Sequence, residues 1–243
     1  MQTVVPLLSG IVALLFAIFI LDQYLGRRRA HQLVWAVGLL FWALASFCQF
    51  WVAASGLSEG VFRLWYWAGA FSVAAYLGMG TVYLLAPRPL AHGVMAVLVL
   101  GTALAAIRVF TAPVDLSVLD VTRPLTGVDV LPKGTTLWTI PFNVYGAAAL
   151  VLGAIYSAVA FAVKRSPRHR VVSMALVALG ALLPTFSGGL ARSGNPDLQY
   201  VMQLLGIIVI FTGFLSNREV FWTFRVPLVH GLRRAEERPQ PSP

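Results

Sequence analysis

Apolar runs of about twenty residues recur along the whole chain, and they leave few folds open. They lie near residues 4–22, 33–54, 61–86, 91–112, 138–163, 171–190 and 198–217. Carrying a helix across a hydrocarbon core takes about 20 apolar residues at about 1.5 Å of rise each. A closed β-barrel would show short alternating segments instead. Charge agrees with the helical reading: 11% of residues are charged and 58% hydrophobic, where a soluble domain carries about 25% charged residues. The expected fold is all-α, a bundle of seven transmembrane helices over residues 1–217.

One long stretch, residues 113–137 (PVDLSVLDVTRPLTGVDVLPKGTTL), cannot sit in a bilayer. Its arms alternate apolar and polar residues around Arg123-Pro124-Leu125-Thr126-Gly127, which predicts a short extracytoplasmic β-hairpin between spans four and five. Such a hairpin is either a lid over the bundle or a plain spacer. Pro87 and Pro89 close span three, and Pro184 predicts a kink or local unwinding in span six. No basic residue precedes span one and no small-residue cleavage site follows it, so it reads as a retained helix. Residues 218–243 form a basic tail that starts aromatic, as a segment lying along headgroups does.

The net charge of +9 comes from clusters between apolar runs, a topology signal rather than a nucleic-acid surface. Placing the N-terminus outside puts 13 of the 18 basic residues on the inner side, among them Arg27, Arg28, Arg29, Lys164, Arg165, Arg168 and Arg170. The expectation is an outside N-terminus and a cytoplasmic C-terminus. Trp51, Trp65, Trp67 and Trp138 would then mark the outer interface, and Trp35 and Trp222 the inner one.

A faint repeat runs at an offset of 138 residues, where His31 meets His169, Gly56 meets Gly194 and Glu59 meets Asp197. A duplication would give two parallel three-helix units joined by span four, as in parallel-repeat transporters. Small residues such as Gly69, Gly78, Gly146, Gly153 and Gly180 predict close helix approaches.

Chemistry-bearing residues are sparse. The lone Cys48 excludes an internal disulfide and reads as a buried small residue. His31, His92, His169 and His230 all fall at the inner rim. Both lysines, Lys133 and Lys164, lie in loops, which excludes a retinal Schiff base in the last helix. Thr185-Phe186-Ser187-Gly188-Gly189 looks like a serine–glycine element but has no base beside it, so helix termination is the expectation. The chain leans away from an enzyme, and no cofactor or metal is expected.

Polar residues enter the spans mainly from the outer side: Gln49, Arg63, Tyr66, Arg108, Asn143, Tyr145, Ser187, Gln199 and Gln203. Polar side chains in lipid are costly, so these should meet one another or line a wet cavity. One reading is an outward-facing pocket for a small molecule or a lipid headgroup, with Arg63 and Arg108 as anion contacts. The other is that they reach the headgroup zone or bond between helices, with Arg63 and Glu59 an ordinary i, i+4 pair.

WAVGLLFWALASF, FRLWYWAGAFSVAAYLGMGTVYLL and LGIIVIFTGFLSN resemble segments of a group of uncharacterised bacterial seven-helix membrane proteins. Over spans two and three the chain is also similar to the seven-helix sensor module ahead of some histidine kinases. The resemblance implies a bacterial cell membrane and, with 26 residues after Asn217, an output through a separate cytoplasmic or membrane partner. A sensor or receptor-like module is expected first, with a small-solute transporter or a structural subunit of a membrane complex as alternatives.

Overall fold

A computed structural model describes residues 2–119, 124–164, 168–192 and 197–216, and the side chains of residues 168 and 185–192 fall outside that description. Its long helices are α1 Val4–Arg27, α2 Ala30–Ser55, α3 Glu59–Leu85, α4 Arg88–Thr111, α5 Thr139–Val163, α6 Arg168–Arg192 and α7 Asp197–Leu215. Each follows an apolar run and extends a little into its polar flanks. α1, for example, runs on through Asp22 to Arg27 and stops where Arg28 turns left-handed (φ 51°), its N–H donating to the Tyr24 carbonyl. α4 starts directly after Pro87 and carries Pro89 in its first turn, where the missing N–H has no helical partner to lose.

Six of these helices are long and apolar enough to cross a membrane; in α6 the apolar segment is the shorter His169–Pro184. The remainder of α6 is diluted by Thr185, Ser187, Gly188 and Gly189. The helix nevertheless continues past Pro184 to Arg192, so neither the expected unwinding nor the expected termination at 185–189 occurs. Gly206 of α7 explains part of this tolerance. A Cβ at that position would stand 2.8 Å from the Pro184 ring, so the glycine leaves room for it.

Arg27, Leu85 and Val163, the last residues of α1, α3 and α5, lie at one end, here the basic end. Ser55 and Thr111, the last residues of α2 and α4, and Thr139, the first of α5, lie at the other, the loop end. Around the bundle α1 packs on α2, α2 on α3, α3 on α5, α5 on α6, α6 on α7, and α7 back on α1. Six helices therefore form a closed ring, and α4 lies outside it against α3. The middle of the ring is filled by Phe16, Leu39, Trp42, Leu77, Ala181, Ile207 and Ile210. Small residues set the closest approaches. At Gly146 a Cβ would fall 2.2 Å from the Ala74 backbone, and at Gly180 it would fall 2.8 Å from the Gly206 carbonyl oxygen. α2 and α6 begin 138 residues apart, at Ala30 and Arg168, and α3 and α7 share that offset, at Glu59 and Asp197.

The predicted β-hairpin is absent from the described residues, residues 120–123 lying outside them. Among the described residues one backbone hydrogen bond joins the two arms, from the Asp115 N–H to the Val130 carbonyl (3.1 Å). Instead of pairing as strands, the arms fold into a 3₁₀ turn at Leu116–Val118 and a helical turn at Lys133–Thr136. Asp115 caps the first by accepting from the Ser117 N–H and hydroxyl. The alternating apolar residues serve burial: Leu125, Val130 and Leu131 join Phe62, Trp65, Tyr66, Ala105 and Val109 in a second core at the loop end. The loop is thereby docked on the α2–α3–α4 flank. The tail after Ser216 lies outside the described residues.

Candidate functional site

α3 is π-helical from Tyr66 to Val73. A π-helical stretch replaces i→i+4 bonds with i→i+5 ones, and the carbonyls it disturbs need other partners. Asn143 of α5 supplies one, its Nδ2 donating to the Ala70 carbonyl (2.7 Å) as well as to that of Thr139 (2.9 Å). Ser72 Oγ donates to the Trp67 carbonyl (3.0 Å), and Trp67 Nε1 reaches across to the Thr102 carbonyl of α4 (3.1 Å). Trp65 and Trp67 thus turn into the bundle, and so does Trp35, whose Nε1 donates to the Leu77 carbonyl. Trp51 and Trp138 stay exposed, as expected of interface tryptophans.

Arg63 is buried, and its guanidinium is fully engaged. It donates to Glu59 Oε1 from Nε (2.9 Å), to the Val109 carbonyl, and to the Ala112 carbonyl (2.8 Å). These carbonyls belong to the C-terminal turn of α4, where no helical N–H reaches them and the helix dipole favours a cation. Tyr66, at 4% exposure, closes over Gly127 of the loop. Its hydroxyl is hydrogen-bonded to the Thr139 side chain, which itself donates to the Thr136 carbonyl. Arg108 is exposed, stacks 4.8 Å from the Trp138 ring centroid and donates to the Gly134 carbonyl. Tyr145 donates to Met79 Sδ (3.0 Å) and borders an open apolar groove of about 520 Å³ between α3 and α5. Four candidates, Arg63, Tyr66, Arg108 and Asn143, therefore tie the loop end of α3, α4 and α5 together with protein partners.

Gln49 and Gln203 stand elsewhere, toward the interior of the ring. On α2, Trp42 and Ser46 both donate to Ser9 Oγ of α1, while Ala45, Cys48 and Val52 pack toward α3. Gln49 lies on the seam between these faces, two turns beyond Trp42 on the same side. On α7, Tyr200 stands two turns beyond Ile207, again on the same side, and Trp42 and Ile207 belong to one core cluster. By helical register, Gln49 and Tyr200 both lie on the loop-end side of this core cluster. They are only 4% and 5% exposed, yet neither has a hydrogen-bond partner among the described residues. Their polar atoms are also not among the fully occluded, unpartnered atoms, which are Gln32 Oε1 and Ser173 Oγ. Both groups therefore keep a small accessible surface.

Gln203 and Gln199 are half-buried on the same helix and share this lack of a partner. The side chain of Ser187 lies outside the described residues. Tyr200 is legible in the sequence, as it opens span seven beside Gln199 and Gln203. Ser9, Ser46 and Trp42 are absent from the sequence-derived set, and nothing in the sequence signals them before α1 is placed against α2.

Comparison with protein-family models, with curated proteins and with solved structures gives no match. The fold itself defines the class: an all-helical, multi-pass protein of a lipid bilayer.

Proposed function

We propose that the chain is a sensor or receptor-like module of a bacterial cell membrane, crossing it seven times with the N-terminus outside and the C-terminus in the cytoplasm. α6 is the seventh crossing, and the loop end faces outward, as the 13-to-5 distribution of basic residues favours. The ligand enters the loop-end interior, where Gln49, Tyr200 and Gln203 meet it, with Gln199 at the rim. One observation carries this reading. Two nearly buried polar side chains, Gln49 and Tyr200, hold unused hydrogen-bonding capacity above an apolar floor. Unpaired polar groups inside a bundle are costly unless water or a ligand meets them. Arg63, Tyr66, Arg108, Asn143 and Tyr145 brace that end of the bundle, and occupancy passes through the ring to the basic loops and a separate partner.

Mass spectrometry of small molecules retained by the detergent-purified protein tests the reading. A species held by the parent and lost in Gln49→Leu is expected. The same background of bulk lipid in both would contradict it and favour a structural subunit.

A second reading, a small-solute transporter, draws on the shared 138-residue offset of the α2/α6 and α3/α7 starts and on the closed ring. These suit two parallel three-helix units, α1–α3 and α5–α7, with α4 as the outlying connector. The apolar middle of the ring, free of charged side chains among its described members, gives a solute no polar path and keeps this reading second.

A further inference from the structure

Resting on the pocket reading above, we infer that the loop-end interior accepts an uncharged, hydrogen-bonding ligand and excludes anions. An anion needs a cation with free donors, and neither Arg63 nor Arg108, the loop-end arginines whose side chains are described, directs one there. The Arg63 guanidinium is bound by the Glu59 carboxylate and by the carbonyls of Val109 and Ala112. Arg108 is held on the exposed flank by Trp138 and Gly134. The carboxylate of Asp197, less than one turn away at the exposed start of α7, acts electrostatically on Tyr200 and repels an anion at the entrance. What remains inside is neutral and versatile. The amide of Gln49 and that of Gln203 each offer donors and an acceptor, and the Tyr200 hydroxyl offers one of each kind. A charge placed among them would lose its hydration with no countercharge, whereas a neutral hydroxyl or amide group would exchange water for these partners at little cost.

The test uses the full-length protein with Gln49→Cys on a Cys48→Ala background, which removes the native thiol. Purified protein is treated with three methanethiosulfonates of similar size, bearing hydroxyethyl, sulfonatoethyl or trimethylammonium-ethyl groups. Rates are normalised to those with a free thiol in solution, and Gln203→Cys provides a second position should Gln49→Cys fail to fold. The neutral reagent is expected to react, with both charged reagents at least about tenfold slower. A sulfonate reagent that reacts as fast as the neutral one would overturn the uncharged-ligand inference while leaving the pocket standing. Failure of all three reagents at both positions would remove the pocket itself, and this inference with it.

Discussion

The Asn143 amide nitrogen lies 2.7 Å from the Ala70 carbonyl oxygen, bridging α5 to the π-helical stretch of α3. Neither partner explains itself alone. The π segment needs donors from outside its own helix, and a polar amide in an apolar span needs acceptors.

Asn143→Leu should therefore leave the Ala70 carbonyl without its side-chain donor. We expect a loss of about 0.5–1.5 kcal/mol, the usual net worth of one intramolecular hydrogen bond. Thermal unfolding in detergent, with helicity followed by circular dichroism, would show a lowered midpoint; an unchanged midpoint would mean that the π segment supports itself.

Besides its buried Leu125, Val130 and Leu131, the loop makes a close approach at Gly127. A Cβ at Gly127 would stand 2.1 Å from Tyr66 Cε2. Gly127→Ala should lift residues 124–131 from α3 and make the loop sensitive to limited proteolysis. Adding Tyr66→Ala should restore part of the protection, because the two changes share one contact and will not add. Equal sensitivity of the single and double variants would show that the contact does not hold the loop.

Much of this architecture could be read directly from the chain. The helices coincide with the apolar runs because only a helix satisfies its own backbone in lipid. The hairpin was misread for a reason visible in Asp115: alternation in Val114–Val118 fits a strand, but the Asp115 side chain turns the chain at Ser117 before strands can pair. Among the polar residues, Arg63 and Gln49 look alike in sequence, since both lie within a turn or two of a helix end at the same side of the membrane. Only the packing of α4 against α3 supplies carbonyls for Arg63, whereas Gln49 is buried on α2 without a partner among the described residues. These are distant contacts, which no local pattern records. The same holds for the interface tryptophans, where Trp65 and Trp51 differ only in which face α2 and α3 bury.

Glycine positions offer a direct comparison. At Gly146 a Cβ would strike the Ala74 backbone at 2.2 Å, whereas at Gly93 nothing stands within 4 Å. Gly146→Ala should lower the unfolding midpoint by forcing α3 and α5 apart. Gly93→Ala should leave it unchanged or raise it, since alanine gains up to about 1 kcal/mol over glycine inside a helix. A midpoint that falls equally in both variants would count against the α3–α5 crossing.

Asp115 makes the docked loop sensitive to acid. Hydrogen bonds from the Ser117 hydroxyl and N–H hold its carboxyl below the usual carboxylate range. A carboxyl depressed in the folded state contributes stability at pH above its unfolded pKa and loses it as pH falls through the folded value. Loop protection should therefore be full near neutrality and decline in acid. In Ser117→Ala the decline should begin at higher pH, as proteolysis of the loop across a pH series would reveal.

Tyr66 and Tyr200 test the central claim because they are almost equally buried, at 4% and 5% exposure, but differently surrounded. Tyr66 is bonded to Thr139 and covered by Gly127, while Tyr200 has no partner among the described residues. Hydroxyl-radical footprinting of the full-length protein, read by mass spectrometry, reports water at each ring. A loop-end pocket predicts that Tyr200 is oxidised readily and Tyr66 is protected; equal protection of the two would contradict a water-filled site between α2 and α7.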